Sequence, residues 1–269
     1  MKKTFSSKKS AFSLIELSIV LIIIGLLIAG ITGGASLIKS SELRSIMGEA
    51  RGYAVAVNSF FTQYDQYPGD ASTNVGNSSI ATALGDRDNK IEFVNDHPTP
   101  ASVVAEGVDA WFDLKDIGAI DLALTALTTG TGSTLLSPGI LVPVTDIPGS
   151  KIKGAGWVFD YNSANFQNVV VLTGTTVAYS AANFPTLING ANLATSPSVV
   201  KNASTEIISA PDSLSIDSKI DDGKANSGNV QSANQSLTAG EICSTDAAYN
   251  VAQGAKKLCV LTFRVDVSS

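Results

Sequence analysis

Hydrophobic and polar positions divide the chain into three regimes. Residues 1–11 carry Lys2, Lys3, Lys8 and Lys9 and no acid, after which the sequence turns apolar at Phe12. From Leu17 to Ile38 there are 22 residues without a charge. At about 1.5 Å rise per residue such a helix is roughly 33 Å long, enough for a hydrocarbon core of about 30 Å. The unbroken run then gives way to a periodic one. Leu43, Ile46, Met47, Ala50, Tyr53, Ala54, Val57, Phe60, Phe61 and Tyr64 recur at spacings of three and four, the pattern of a helix with one buried face. Glu42, Arg44, Glu49, Arg51 and Asn58 fall on the rest of its surface. Tyr67-Pro68-Gly69-Asp70 stops it, because proline cannot continue a helix and disfavours helical geometry in the residue before it. The pattern predicts one helix over residues 12–65 and a head over 66–269.

In the head, Gly, Pro, Asn and Ser punctuate shorter elements. A helix is expected from Glu106 to Ile117, with Val108, Trp111, Phe112 and Lys115 on a partly apolar face and Gly118 as its stop. Thr128–Pro148 reads as a loop. The β-branched and aromatic runs Trp157–Tyr161 and Asn168–Thr173 read as strands, and Thr175–Tyr179 as a return through Gly174. Leu258–Val265 reads as the last strand. The fold class implied is α+β, with helix packed on an antiparallel sheet.

Charge and composition narrow the function. Only 16% of residues are charged, against roughly 25% in an ordinary soluble domain, and the formal net charge is −6. No clustered basic footprint follows the N-terminus, so nucleic acid is not an expected partner. One histidine and two cysteines are too few for a typical zinc cage, and a Ser-His-Asp mechanism would rest on His97 alone, in a loop between Asp96 and Pro98. The glycine pairs Gly130-Thr131-Gly132 and Gly154-Ala155-Gly156 lack the strand and helix context of a phosphate loop. No catalytic residue and no cofactor are expected. Two acidic stretches raise a calcium question. Asp86–Glu92 begins like an EF-hand loop but has Lys90 at a ligand position and no turn glycine, which favours a structural turn. Asp217–Asn229 is richer in oxygens, but Asp221-Asp222-Gly223 is also a common turn, and no metal ligand is assigned.

The basic flank keeps the N-terminus cytoplasmic and sends the rest across the membrane. The apolar stretch exceeds the roughly 7–15 residues of an ordinary secretory signal. Neither a cleaved signal nor a plain anchor explains Glu16, since a carboxylate near the start of a membrane helix is costly without a partner.

The run Ala11-Phe12-Ser13-Leu14-Ile15-Glu16-Leu17, with lysines before it and the apolar helix after it, resembles the class III signal of type IV prepilins and type II secretion pseudopilins. That resemblance implies a pilin-like fold in which 1–11 is a leader, 12–65 a long helix with its transmembrane part at about 17–38, and 66–269 an extracytoplasmic head. It implies cleavage between Ala11 and Phe12 by prepilin peptidase, which also methylates the Phe12 amine. Glu16 then neutralises the Phe12 amine of a neighbouring subunit during assembly. Ala11 stands where the family usually has glycine. Gly33-Gly34 stands where many pilins have a proline and reads as a point of local melting; alternatively, Gly30 and Gly34 read as a small-xxx-small packing face or as the ordinary enrichment of glycine in membrane helices. The Tyr-Pro-Gly-Asp ending of the helix also recurs in the family.

The partners implied are the peptidase/methyltransferase, copies of the chain and other pilin-like subunits, an inner-membrane assembly platform and the lipid bilayer. The chain is expected in the inner membrane, single-pass, before assembly, and afterwards in a surface pilus or a periplasmic pseudopilus. In an exported chain, Cys243 and Cys259, bracketing 15 residues, are expected to form a disulfide. A C-terminal disulfide-bounded loop is similar to the variable region of many type IV pilins. Two alternatives stay open: a type II secretion pseudopilin, and a membrane-tethered binding or hydrolytic domain.

Overall fold

The computed structural model describes residues 13–71, 85, 87–91, 106–122, 140–141, 147–162, 167–174, 177–178, 207–234 and 242–266. The chain divides into two compact units, Met1–Glu42 and Leu43–Ser269.

Helix α1 (Leu14–Tyr64) is continuous in its hydrogen bonding, as the absence of proline allows. In the first unit its apolar side chains are exposed, Leu14 by 89% and Leu26 by 76%. In the second unit it contributes Leu43, Ile46, Ala50, Ala56, Val57 and Phe60 to the core of the head. Its end is set one step before the Pro-Gly turn. Asp65 adopts a left-handed φ of 54° and donates its N–H to the Phe61 carbonyl, closing the last turn.

Helix α2 (Glu106–Asp116) ends at Gly118, whose φ of 72° lets its N–H and that of Ala119 reach back to the Lys115 and Leu114 carbonyls. Strand β1 (Ile140–Leu141) is followed by β2 (Ala155–Asn162) and β3 (Gln167–Gly174), an antiparallel pair from Ala155 opposite Gly174 to Asn162 opposite Gln167. Then come β4 (Val177–Ala178), β5 (Ile208–Ser209), α3 (Ala210–Ile220), β6 (Val230–Asn234), the short pair β7 (Ser244–Thr245) and β8 (Ala248–Tyr249), and β9 (Lys257–Arg264). β9 is the organiser of the five-stranded sheet: it pairs antiparallel with β3, β5 and β6. A long N-terminal helix followed by an antiparallel-sheet head is the α+β arrangement that the hydrophobic pattern predicts and the pilin-like one that the resemblance implies.

The core where α1, α2 and β2 meet is aromatic. Tyr53 sets its ring edge against Trp111 at 4.8 Å and Trp157 at 5.6 Å, and Trp111 lies 4.1 Å from Phe159. Two expectations are corrected. The segment after Gly174 does not fold back on β3; β4 pairs with β1 instead, in register Ile140 opposite Ala178. Glu49 is no bystander on a solvated face. Its carboxylate accepts bonds from Ser150 Oγ (2.7 Å), Lys151 N (3.1 Å) and Trp157 Nε1 (2.9 Å).

Candidate processing and assembly segment

Glu16 occupies the first turn of α1. A helix start leaves backbone N–H groups without intrahelical acceptors and carries partial positive charge, so a carboxylate is stabilised there. Glu16 Oε2 accepts the Ser13 N–H at 2.8 Å, and Leu17 N makes the opening helical bond to the Ser13 carbonyl at 3.2 Å. The side chain is exposed, as are Leu14, Ile15 and Leu17 around it. Ala11 and Phe12, the expected cleavage and methylation positions, lie outside the described residues.

The segment downstream holds its helical form. Gly30, Gly33 and Gly34 all lie within α1, and a Cβ added at any of them would meet nothing within 4 Å. Thr32 Oγ1 bonds back to the Ile28 and Ala29 carbonyls, keeping its hydroxyl satisfied inside the apolar run. The alternative of local melting at Gly33-Gly34 is therefore not the state of this structure, in which the glycines leave a surface of low relief. α1 is long and apolar enough to cross a membrane.

Residues 6–32 match the family model described as the prokaryotic N-terminal methylation motif. The chain carries a prepilin-type signal. That signature belongs to type IV pilins and pseudopilins, and it implies processing by prepilin peptidase and assembly with other pilin-like subunits. The apolar helix and the signal together fit membrane anchoring before assembly. No curated protein and no solved structure matches the chain.

The remaining candidates of the prepilin-like chain resolve into structure. Cys243 and Cys259 are joined, with Cα atoms 5.0 Å apart. His97 and Gly130-Thr131-Gly132 lie outside the described residues, as do Asp86 and Glu92. The described part of that acidic stretch has the polarity opposite to a cation loop. Arg87 (φ 65°) and Asn89 (φ 66°) turn their N–H groups onto the buried carboxylate of Asp70, at 2.6 and 2.9 Å. Alternating backbone geometry of this kind makes a nest for an anion, here an internal one. Asp88 is engaged by Lys90 through both backbone and side chain.

Asp217, Asp221 and Asp222 do converge, each offering an oxygen within 4.8 Å of the others. Yet the cluster accepts bonds from its own loop. Asp217 takes the Tyr249 hydroxyl (2.8 Å) and the Gly223 N–H (3.1 Å), Asp221 the Asn229 N–H, and Asp222 the Lys224 N–H (2.9 Å) and Ser227 hydroxyl (2.9 Å). Burial pushes the Asp217 carboxyl up against the lowering effect of its two donors, while the Lys224 N–H and the Ser227 hydroxyl hold exposed Asp222 down. These bonds shape the turn between α3 and β6.

Proposed function

We propose that this chain is a structural subunit of a type IV pilus or related filament, cut between Ala11 and Phe12, methylated on Phe12, and without catalytic activity of its own. The observation that carries the reading is the methylation motif over residues 6–32 combined with Glu16 in the first turn of an unbroken helix. An apolar surface this long cannot stay in water: each buried Leu or Ile side chain contributes roughly 1.5–3 kcal/mol. Bilayer lipid covers it before assembly, and neighbouring helices cover it in a filament. In that apolar setting the Glu16 carboxylate and the Phe12 ammonium of another copy are each costly alone and tolerable as a pair. The pairing sets axial register between copies and explains an acid at the start of a membrane helix. A second reading, a pseudopilin whose filament stays in the periplasm, draws on the Asp221-Asp222-Gly223 turn, which resembles a segment near the C-terminus of some pilin-like heads.

Replacing Glu16 by Ala tests the mechanism. The variant is expected to remain in the inner-membrane fraction while filament incorporation falls strongly. Normal filaments from Glu16→Ala would refute the pairing. Electron microscopy of sheared cell-surface material separates the two readings, since only a pilus yields extracellular fibres that contain this chain.

A further inference from the structure

Helix α2 places Asp109 and Asp113 one turn apart on a single face, both inside the head, with exposures of 6% and 4%. Asp113 Oδ2 accepts the Gly69 N–H at 2.8 Å. Gly69 is the left-handed residue (φ 82°) of the turn that follows α1. A Cβ there would come within 2.3 Å of the Glu106 carbonyl, so α2 is seated directly on that turn. Asp109 Oδ1 is buried and has no hydrogen-bond partner among the described residues.

Two buried carboxylates a turn apart cannot both be ionised cheaply. Among the described residues, the neighbouring acids add to this cost. Asp116, on the same helix, adds negative charge to both. Also on α2 are buried Glu106 and, beyond the pair, Lys115. From the turn after α1 comes buried Asp70, whose carboxylate is held by Arg87 and Asn89 N–H groups. From β2, which packs on α2, comes buried Asp160. From α1 comes Tyr53, edge-on to Trp111.

We propose that Asp109 and Asp113, the latter bonded to the Gly69 N–H, form a proton-dependent clasp that seats α2 on the end of α1 in mildly acidic surroundings, and that the cost of the added buried charge, larger than the gain in the Gly69 bond, loosens it when the pair loses its proton. Burial first, then neighbouring acids, pushes Asp109 well up; burial pushes Asp113 up to about 6 despite the lowering bond from Gly69. Both folded values lie above the ordinary unfolded value near 4, so the folded head holds more protons than the unfolded one. The contribution is therefore fully present below about pH 4 and is lost as pH rises through about 6 and beyond. An exported head meets a medium that the cell does not buffer, and the clasp makes the seating of α2 responsive to it.

Native-state hydrogen exchange on the full disulfide-intact chain in detergent micelles tests this, with opening constants corrected for the intrinsic pH dependence of exchange. The α2 amides should open more readily as pH rises from 4 to 8, by up to about tenfold per pH unit where one proton is released. The double variant Asp109→Asn/Asp113→Asn should flatten that profile while keeping α2 protected at pH 8, and each single variant should make it shallower. Asp116→Asn, at an exposed position, should leave a sloped profile. A wild-type α2 profile that is flat from pH 4 to 8 overturns the clasp whatever the variants do, and so does a wild-type slope that survives undiminished in the double variant or in whichever single variant folds.

Discussion

Glu49 ties α1 to the sheet through the Trp157 indole, the Ser150 hydroxyl and the Lys151 backbone. A charged acceptor with these donors has a large truncation cost, because the buried Trp157 Nε1 is left with no acceptor. Glu49→Ala should therefore lower head stability by about 2–3 kcal/mol, which for a head of this size is roughly 5–10 °C in thermal midpoint. Glu49→Gln keeps one acceptor oxygen and should lose about half as much. Thermal unfolding followed by tryptophan fluorescence checks both, and an unchanged midpoint in Glu49→Ala would show that the three bonds are weak. Asn168 is a second residue whose role is tertiary: it accepts the Ile91 N–H, donates to the Asn89 carbonyl and gives its own N–H to Asp266. Neither role is readable from local pattern. A carboxylate at a polar helix position and an amide at a strand start look like solvated residues until partners some 80 to 100 positions away are folded against them.

Among elements, the legible ones are those whose period or chemistry is local. The spacing of Leu43 to Tyr64 predicts α1 through Tyr64, and the β-branched runs predict β2, β3 and β9. Helix α3 is absent from the sequence reading although its start carries a signal: Ser209 caps the Asp212 N–H, with Pro211 in the first turn and an acid three residues after the cap. Strand β6, Val-Gln-Ser-Ala-Asn, is too polar to announce itself and exists because β9 offers it an edge. β4 departs from its expected pairing for a related reason: a two-residue strand takes its partner from tertiary context, and β1 lies in a stretch that reads as loop. The disulfide joins β9 to the segment entering β7. Reduction should cost about 3 kcal/mol, the loop-closure value for a 15-residue loop. Urea denaturation with and without reductant measures it; coincident curves would contradict that contribution.

For the whole molecule, the charge balance follows processing. Removing residues 1–11 takes four lysines and no acid from 18 Lys+Arg, leaving 14 against 24 Asp+Glu. On the proposed processing, positive charge is thus concentrated in the leader, and the part proposed to be exported is acidic. The methylation motif, the Glu16 carboxylate at the helix start within it and the exposed apolar surface of α1 fit the proposed fate, release from a leader followed by lateral packing of helices. The head adds a fold in which β9 gathers the sheet and α1, α2 and β2 share an aromatic core. Mass spectrometry of the N-terminus of the chain purified from its own membranes or filaments tests the account most directly. The predicted result is a mature chain that begins at Phe12 and carries an N-methyl group. A chain that retains Met1, or one cut after residue 30, would contradict it.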